Sequence, residues 1–506
     1  MISSNIFLLI LIPLTTAFLI PLLDLLHIKY RKILVGIAGI LEFTVSFSII
    51  FTNFEFLKKG TLFLTYNLGG WSPPFGINLV LDSLGLFFST LVSVALLLIT
   101  VYSIGFIGHH EGKYYVLLFL AFAAMQGVIL TGDIFNLYVF IELLTLTSAP
   151  LVAFKRNRNS TEASIKYMFY GIIGGLCFFI GVILIYFSLG TLNMAEISSH
   201  FTELNTRMQL IIITFFLLSM LIKLGIFPFH FWLPKAHSAC PSSISTLLSG
   251  LLLKIYIYIF IRIFWIVLDY NVIQEIGLAD FIVYLSLTSC LLGHIFALQA
   301  DDIKRMLAFS TIGHISMIVA ALALNTEAGF YGGLLHVISH FLMKSALFTG
   351  TGYLLQYTPS HNIKDLKGVG YKNKNIFISF VTASLGMIGI PPVIGFISKW
   401  YILLAFLEVN NHIGATIVIL GSLTAVVYYF RFITAGYERT EVGTSKKERH
   451  VLSVFYREKI VTMIVYIFTF MAVITGVSFK LFDLPLKAVI DVITNPAYYI
   501  NYVLGG

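Results

Sequence analysis

Apolar residues fill the chain in long runs that short polar connections separate. A run of about 20 apolar residues is long enough to cross the hydrocarbon layer of a membrane as a helix. The pattern therefore predicts an all-α polytopic membrane protein with about 14 transmembrane helices. The predicted segments are 4–26, 33–57, 77–107, 114–131, 133–154, 165–189, 208–227, 242–268, 278–300, 303–325, 329–357, 376–408, 412–437 and 460–481.

Composition supports this class. Hydrophobic residues make up 58% of the chain and charged residues 11%, whereas a soluble domain has about 25% charged residues. A net charge of +8 does not indicate nucleic-acid binding, because basic residues that contact phosphate cluster on a solvated face and this chain has few such faces. The first apolar run continues to Pro21 and is followed by the basic sequence KYRK. The run has no small-residue cleavage site, so we expect it to be the first transmembrane helix and not a signal peptide that is removed.

The distribution of Lys and Arg predicts an orientation, because short cytoplasmic loops are enriched in both. With the N-terminus outside, 20 basic residues, including Lys235 and Lys304, fall in cytoplasmic loops and only five on the opposite side. We therefore expect a multi-pass protein of the cell membrane with both termini on the outer side.

Several basic side chains lie inside predicted spans. In LLHVISHFLMKSALF, at 334–348, His336, His340 and Lys344 are four residues apart and share one stripe of a helix. A lysine at a helix centre in a membrane costs about 2.5–3.5 kcal/mol, so such groups should face the bundle interior or an aqueous cavity. The same argument applies to three other deep lysines, Lys223, Lys254 and Lys399, whereas Lys166, Arg262 and Arg431 lie nearer span ends and are expected to reach the membrane surface.

Two of the deep lysines neighbour prolines. Pro228 follows Lys223, and Pro391 and Pro392 precede Lys399. Proline removes a backbone donor and clashes with the preceding turn, so both segments should be interrupted helices. Interrupted helices in two halves of a membrane protein indicate a transport site at an internal repeat, and GDIFNLYVF at 132 and DDIKRMLAF at 301 are a weak trace of one.

Longer motifs carry a family resemblance. The stretch KLGIFPFHFWLPKAHSACPSSISTLLSGLLLKIYIY, together with GDIFNLYVFIELL, LLHVISHFLMKSALF and GIPPVIGFISKW, resembles the antiporter-like subunits of complex I, Mrp antiporters and membrane-bound hydrogenases. The resemblance implies two inverted five-helix repeats, each with a broken helix. It implies four regions: an N-terminal three-helix segment at 1–113, repeats at 114–268 and 278–437, and a last helix with a short tail at 460–506.

The resemblance also implies a proton-translocation path. Its residues would be Glu142 of the fifth helix, Lys223 of the broken seventh, Lys254 of the eighth, His336, His340 and Lys344 of the eleventh and Lys399 of the broken twelfth. The M-type subunit has glutamate at the last position, and the L type has a long C-terminal extension where this chain has a short tail. We therefore expect an N-type or D-type subunit.

Elementary chemistry suits these residues to moving protons. A buried lysine loses its proton more easily than a free lysine, whose pKa is about 10.4, and a nearby carboxylate restores the charge. A Glu142–Lys223 pair is thus a switch, and histidine, with a pKa near 6.5, can relay protons between stations. His230 and His237 could gate entry or cap the broken helix, His314 could relay protons or pack, and Asp82 is typical of a helix start.

Other functions are less consistent with the sequence. Cys177, Cys240 and Cys290 lack the spacing of a zinc or iron–sulfur site, and two histidines one turn apart cannot be opposite axial ligands of haem. We expect no cofactor and no metal in this chain, and iron–sulfur clusters or other redox centres in peripheral partner subunits.

We expect a subunit that moves protons, alone or in exchange for sodium, beside further antiporter-like subunits. A hydrogenase-type complex, an NADH- or ferredoxin-dependent complex and a stand-alone Mrp antiporter all stay open. A redox-cofactor-bearing subunit and a scaffold without transport are the remaining alternatives.

Overall fold

The computed structural model describes residues 5–26, 30–58, 60, 62–108, 110–356, 358, 360–438 and 451–505, with side chains in the last range from 458. Helices form most of this part of the chain. The apolar helical segments, numbered α1 to α14, are Asn5–Leu25, Arg31–Thr52, Ser83–Phe106, Glu111–Leu130, Ile134–Val152, Arg158–Leu189, the broken α7 of Thr206–Leu224 and Trp232–Ala239, Ser242–Val267, Leu278–Gln299, Ile303–Ala323, Glu327–Leu354, the broken α12 of Lys374–Ile388 and Ile394–Glu408, His412–Tyr437 and Val451–Val477.

The predicted fold class is confirmed. In the described residues, 12 helices are long and apolar enough to cross a membrane, and each matches a predicted segment. The other two predicted segments correspond to α11 and the broken α12. Lys29, Lys59, Arg439, Lys446, Lys447 and Arg449, which contributed to the predicted orientation, lie outside the described residues.

The centre of the bundle is formed by α8, α10 and α11. The spanning parts of α8 and α10 are buried, and α11 is buried from Leu334 to Leu354. Peripheral helices such as α2, α6 and α13 instead expose large apolar side chains. A water-soluble protein rarely exposes apolar surface on this scale, so these faces are suited to lipid.

One predicted span begins differently from the expectation. The segment predicted at 77–107 starts with a strand, Asn78–Asp82, which pairs in antiparallel fashion with Phe63–Asn67. Only then does α3 begin, with the Asp82 side chain accepting a hydrogen bond from the Gly85 backbone N–H at 2.7 Å. Asp82 is therefore an N-cap, as the sequence indicated.

A corner between helices occurs twice in the fold. Asp133 caps α5 and forms a backbone bridge with Asn193, and Asp302 caps α10 and forms the same bridge with Asn362. Both pairs of positions are separated by 169 residues. Five crossing helices lie between the two corners, so the second lies at the opposite end of the bundle. This relation supports two inverted repeats, whose boundaries at 114–268 and 278–437 stay a prediction.

Both helices in which prolines neighbour a deep lysine are interrupted, as expected. The first half of α7 ends at Gly225 and the first half of α12 at Gly389, each with a positive φ. Glycine adopts this left-handed conformation at little cost because it has no Cβ. In α7 the Trp232 indole N–H also donates to the Ile222 carbonyl at 3.0 Å. The break thus leaves polar backbone groups at the depth of the buried lysines.

Two basic residues lie deeper than the sequence suggested. Arg262 was expected to reach the surface, but it is buried and donates two hydrogen bonds to Asp82, at 2.6 and 2.8 Å, and one to the Tyr258 hydroxyl. Lys304 was expected in a loop, but it is buried and donates to the Cys240 carbonyl at 3.0 Å. Both expectations were wrong because partners that are distant in sequence provide the hydrogen bonds that permit burial.

Lys166 and Arg431, the other two basic residues predicted near span ends, are less buried than Arg262. Lys166 is exposed and pairs with Glu162 at 2.5 Å, in agreement with the expectation. Arg431 is partly buried, and its guanidinium donates to the Leu298 carbonyl at 2.9 Å and to the Ala300 carbonyl. It therefore caps the end of α9 at the second corner instead of extending freely to the surface.

Removal of Asp82 should destabilise the bundle strongly. Asp82→Ala leaves Arg262 buried without a carboxylate, which should lower the free energy of unfolding by about 3–5 kcal/mol. We therefore expect a clearly lower unfolding temperature of the purified protein. The double variant Asp82→Ala, Arg262→Met should recover much of the loss, and Glu162→Ala, in an exposed pair, should change little. An Asp82→Ala protein as stable as its parent would contradict this account.

Candidate functional site

Glu142 and Lys223 form the first part of the candidate site. The Lys223 ammonium donates to Glu142 Oε1 at 3.4 Å and to Thr145 Oγ1 at 2.9 Å. Lys223 is 3% exposed, and the Glu142 side chain retains 22% exposure. The pair is therefore loose, with a neutral hydroxyl that competes with the carboxylate for the ammonium group.

Three glycines of α6 make room for this pair. A Cβ at Gly175 would overlap Glu142 Oε1, one at Gly171 would lie 2.5 Å from the Thr145 methyl group, and one at Gly174 would lie 3.2 Å from Lys223 Cε. The glycines are three and four residues apart, so they share one face of the helix. The sequence GIIGG at 171–175 is thus a signal for the site that the sequence reasoning did not use.

Lys254 joins the two predicted repeats. Its Nζ lies 2.5 Å from His340 Nδ1 on α11 and 2.5 Å from the Ser249 carbonyl on its own helix. Both side chains are fully buried. A π-helical turn, Leu247–Leu252, precedes Lys254, and such turns often occur at functional sites.

Four histidines lie next to one another beyond Lys254. His336 Nε2 is 3.0 Å from His314 Nδ1, and the ring centroid of His314 is 5.7 Å from that of His340 and 5.1 Å from that of His294. All four side chains are fully buried. His314, whose role the sequence left open, is therefore at the centre of this histidine cluster.

The sequence reasoning missed His294. Its Nδ1 lies 3.2 Å from the Tyr428 hydroxyl, and a Cβ at either Gly313 or Gly421 would collide with its ring. A single histidine in an apolar helix is only a weak signal, since the glycines that accommodate it are far away in sequence. The structure reveals its proximity to the cluster because α9, α10 and α13 meet there.

Lys344 lies beside the histidine cluster. Its ammonium donates to the Leu307 carbonyl at 2.8 Å and to Ser310 Oγ at 2.9 Å. Ser310 also accepts a hydrogen bond from the Tyr428 hydroxyl at 3.0 Å. Because Tyr428 contacts His294, hydroxyl groups connect Lys344 with the histidine cluster.

Lys399 caps the broken end of α12. Its ammonium donates to the carbonyls of Met387 and Ile388, at 2.8 and 3.1 Å, and to Ser422 Oγ at 2.9 Å. The final carbonyls of a helix have no partner within the helix and carry partial negative charge. The interrupted helix therefore holds a buried cation without a carboxylate.

The predicted path residues are thus close together but not in continuous contact. His336 Nδ1 is 2.8 Å from Ser398 Oγ, the residue before Lys399. Within the described residues no direct hydrogen bond joins Lys223 to Lys254. The Tyr256 ring, whose centroid is 5.9 Å from Lys223 Nζ, lies in that interval.

His230 and His237 lie beside the first break. The Nδ1 atom of each has no hydrogen-bond partner in the described part of the chain. His230 stacks near Phe227 and Phe296 and lines a cleft of 1190 Å³, while His237 stacks on Phe348. Gly225 and Trp232 close the end of the first half of α7. Gating and capping both stay hypotheses for the two histidines.

The described residues contain no group of three or more His, Cys, Asp or Glu side chains placed to hold a metal ion. Cys177, Cys240 and Cys290 are free and buried. Within the histidine cluster, one direct hydrogen bond joins two of the rings, those of His314 and His336.

Comparisons with known proteins show the family of this chain. Residues 131–424, more than half of the chain, match the family model described as "NADH:quinone oxidoreductase/Mrp antiporter, TM". The chain is 34% identical over 382 residues to the N subunit of an NADH-quinone oxidoreductase from Desulforudis audaxviator, covering 74% of this chain and 75% of the relative. It is 28% identical over 501 residues to the D subunit of a Na(+)/H(+) antiporter from Alkalihalophilus pseudofirmus, covering 98% and 99%.

Solved structures share the fold of this chain. A chain of the membrane-bound sulfane sulfur reductase, an archaeal respiratory membrane complex, superimposes with a TM-score of 0.90 at 26% identity over 99% of both chains. A chain of the Mrp complex from Dietzia shares the fold, with a TM-score of 0.86 at 20% identity over 99% of both. The chain belongs to the NADH:quinone oxidoreductase/Mrp antiporter transmembrane family.

Proposed function

We propose that this membrane subunit moves protons along a path of buried side chains. The path runs through Glu142, Lys223, Lys254, His340, His314, His336 and Lys399, with Lys344 as a side station. The observation that carries the proposal is the 2.5 Å contact between Lys254 and His340, because it joins α8 of the first predicted repeat with α11 of the second.

The Glu142–Lys223 pair acts as the switch. When the ammonium group lies against the carboxylate, the charged lysine is favoured, and when it turns to Thr145 the proton leaves more easily. Both partners are within reach in one geometry. A small movement of α7 at its break is therefore sufficient to change the proton affinity of Lys223.

Beyond the switch, charge repulsion couples the protonation of neighbouring stations. In the described residues no carboxylate lies within hydrogen-bonding distance of Lys254, Lys344 or Lys399. Neighbouring cations in a low-dielectric interior repel each other by several kcal/mol. A proton that arrives at one station therefore lowers the proton affinity of the next, and a proton leaves at the far end.

Lys399 is the proposed exit. Its proton would pass to the outer aqueous side of the membrane, which is also the side proposed for the N-terminus and the C-terminus. Sodium exchange at the same path is compatible with this scheme.

The relatives and structural neighbours belong to multi-subunit assemblies, so other membrane subunits are partners. The proposed partners are further antiporter-like subunits and peripheral redox subunits with iron–sulfur clusters. The second candidate function is that of the D-type subunit in a stand-alone Mrp antiporter. Identification of co-purifying subunits distinguishes them, since redox subunits would be absent from an Mrp assembly.

Loss of either member of the switch should stop transport. Lys223→Ala and Glu142→Gln should each reduce proton translocation in sealed vesicles by about tenfold or more, and the double variant should be little worse, because groups that act as a unit give non-additive losses. Lys166→Ala, an exposed lysine of α6, is the matched control. Losses that multiply in the double variant would show two independent roles.

His294 should contribute through Tyr428. Tyr428→Phe keeps the aromatic ring, and His294→Phe replaces the imidazole with a somewhat larger ring. Each removes the hydrogen bond between the two side chains, so both should slow proton translocation partially. His412→Phe, at an exposed histidine of α13, should have no effect. Translocation at the parental rate in an assembled His294→Phe complex would exclude this branch.

Substitutions at Lys399 should separate its two roles. Lys399→Arg keeps donors for the Met387 and Ile388 carbonyls but does not release a proton, so the complex should be stable and inactive. Lys399→Leu removes both functions and should also lower the unfolding temperature. Translocation at the parental rate by Lys399→Arg would mean that the proton leaves the path elsewhere.

A further inference from the structure

A cleft opens at the end of the bundle where α6 and α10 begin. It has a volume of 1190 Å³ and lies between α6, the second half of α7, the end of α9 and the start of α10. Its wall includes Phe169 and Phe231, whose exposed fractions are 60% and 58%. Exposed apolar surface that polar residues border is typical of a membrane contact. The cleft therefore joins the polar helix ends to a surface suited to lipid.

Basic side chains line the polar part of the cleft. Lys166 and Lys235 share one carboxylate, since Glu162 Oε1 lies 2.5 Å from the first ammonium group and 3.6 Å from the second. Arg305 is exposed and forms no ion pair within the described residues, and its guanidinium lies 5.5 Å from the centroid of the Phe309 ring. Three cations thus have one carboxylate among them.

Two further carboxylates line the same cleft. Asp302 is engaged, because it accepts a hydrogen bond from the Arg305 backbone N–H at 2.8 Å and lies 3.4 Å from His361 Nδ1. Asp301 is exposed, and no side chain in the described part of the chain forms an ion pair with its carboxylate. Arg305 and Asp301 therefore line one cleft with opposite charges and do not pair with each other.

This distribution of charge favours a headgroup that carries both signs. A phosphate binds arginine and lysine through charge-assisted hydrogen bonds, and basic pockets between transmembrane helices bind lipid headgroups. Asp301 and Asp302 disfavour a headgroup that is only anionic. A primary ammonium group offers three hydrogen-bond donors to a carboxylate, whereas the quaternary ammonium of a choline headgroup has no such donor.

We propose that this cleft binds one phospholipid with an ethanolamine headgroup. Arg305 and Lys235 bind the phosphate, Asp301 contacts the primary ammonium group, and an acyl chain packs along Phe169 and Phe231. Lipid is the solvent of this surface, so it reaches the cleft without a further protein partner. None of these residues belongs to the proposed proton path, so the lipid site does not depend on that proposal.

Photo-crosslinking tests the identity of the occupant. The assembled complex is placed in phosphatidylcholine vesicles with a small, fixed fraction of phosphatidylethanolamine that carries a diazirine in one acyl chain, and adducts are mapped by mass spectrometry. The peptides that contain Phe169 and Phe231 should be labelled more strongly than those of α2, which exposes apolar side chains to bulk lipid.

Competition measures the selectivity of the cleft. With the site filled by the probe, an excess of about tenfold of unlabelled phosphatidylethanolamine should lower labelling of the cleft peptides about elevenfold, because equal ligands share one site in proportion to their concentrations. Labelling of the α2 peptides should not change, since the fraction of probe in the bilayer is constant. The same amount of phosphatidylglycerol should compete much less.

Variants of the assembled complex assign the two charges. Arg305→Gln should weaken labelling of the cleft peptides relative to those of α2, and Asp301→Asn should make phosphatidylglycerol compete as well as phosphatidylethanolamine. Lys113→Gln, at an exposed lysine outside the cleft, should behave like the parent. Labelling of the cleft peptides no stronger than that of α2, or equal competition by phosphatidylglycerol in the parent, would overturn the proposal.

Discussion

The cost of placing charge in the apolar interior of a membrane constrains the whole structure. Each buried cation is therefore stabilised by specific contacts. Lys223 has a carboxylate, Arg262 has a bidentate carboxylate, and Lys399 has the carbonyls that the break in α12 leaves free. The helix breaks, the glycine-lined face of α6 and the π-helical turn of α8 are local departures from a regular bundle that make these contacts available.

This constraint also separates structural charges from those that can change. Arg262 is held by two short hydrogen bonds to Asp82 and does not lose its proton, so the pair fixes the strand, α3 and α8 together. Lys254, Lys344 and Lys399 instead contact hydroxyls, carbonyls or a histidine, and Lys223 has only a 3.4 Å contact with one oxygen of Glu142. All of these are weaker partners for a cation than a bidentate carboxylate. A lysine of the proposed path must release its proton, which is easier when its charged form is only weakly stabilised.

The sequence predicted the features that depend on local pattern. The lengths of the apolar runs predicted the transmembrane helices, and the prolines beside Lys223 and Lys399 predicted the two helix breaks. The 3.4 Å pair of Glu142 and Lys223 was hypothesised from a family resemblance, not from spacing. Sequence reasoning missed His294, placed Arg262 at a surface and Lys304 in a loop, because their partners lie on other helices. Such contacts depend on how the helices pack, and a single chain's pattern does not encode that directly.

The central claim is that a proton passes from Lys254 to His340 and so from one half of the bundle to the other. Proton translocation by sealed vesicles that contain the assembled Lys254→Met complex tests it most directly. Methionine retains the length of the side chain but cannot carry a proton. The account predicts an intact complex with no translocation above background, and translocation at the parental rate would contradict it.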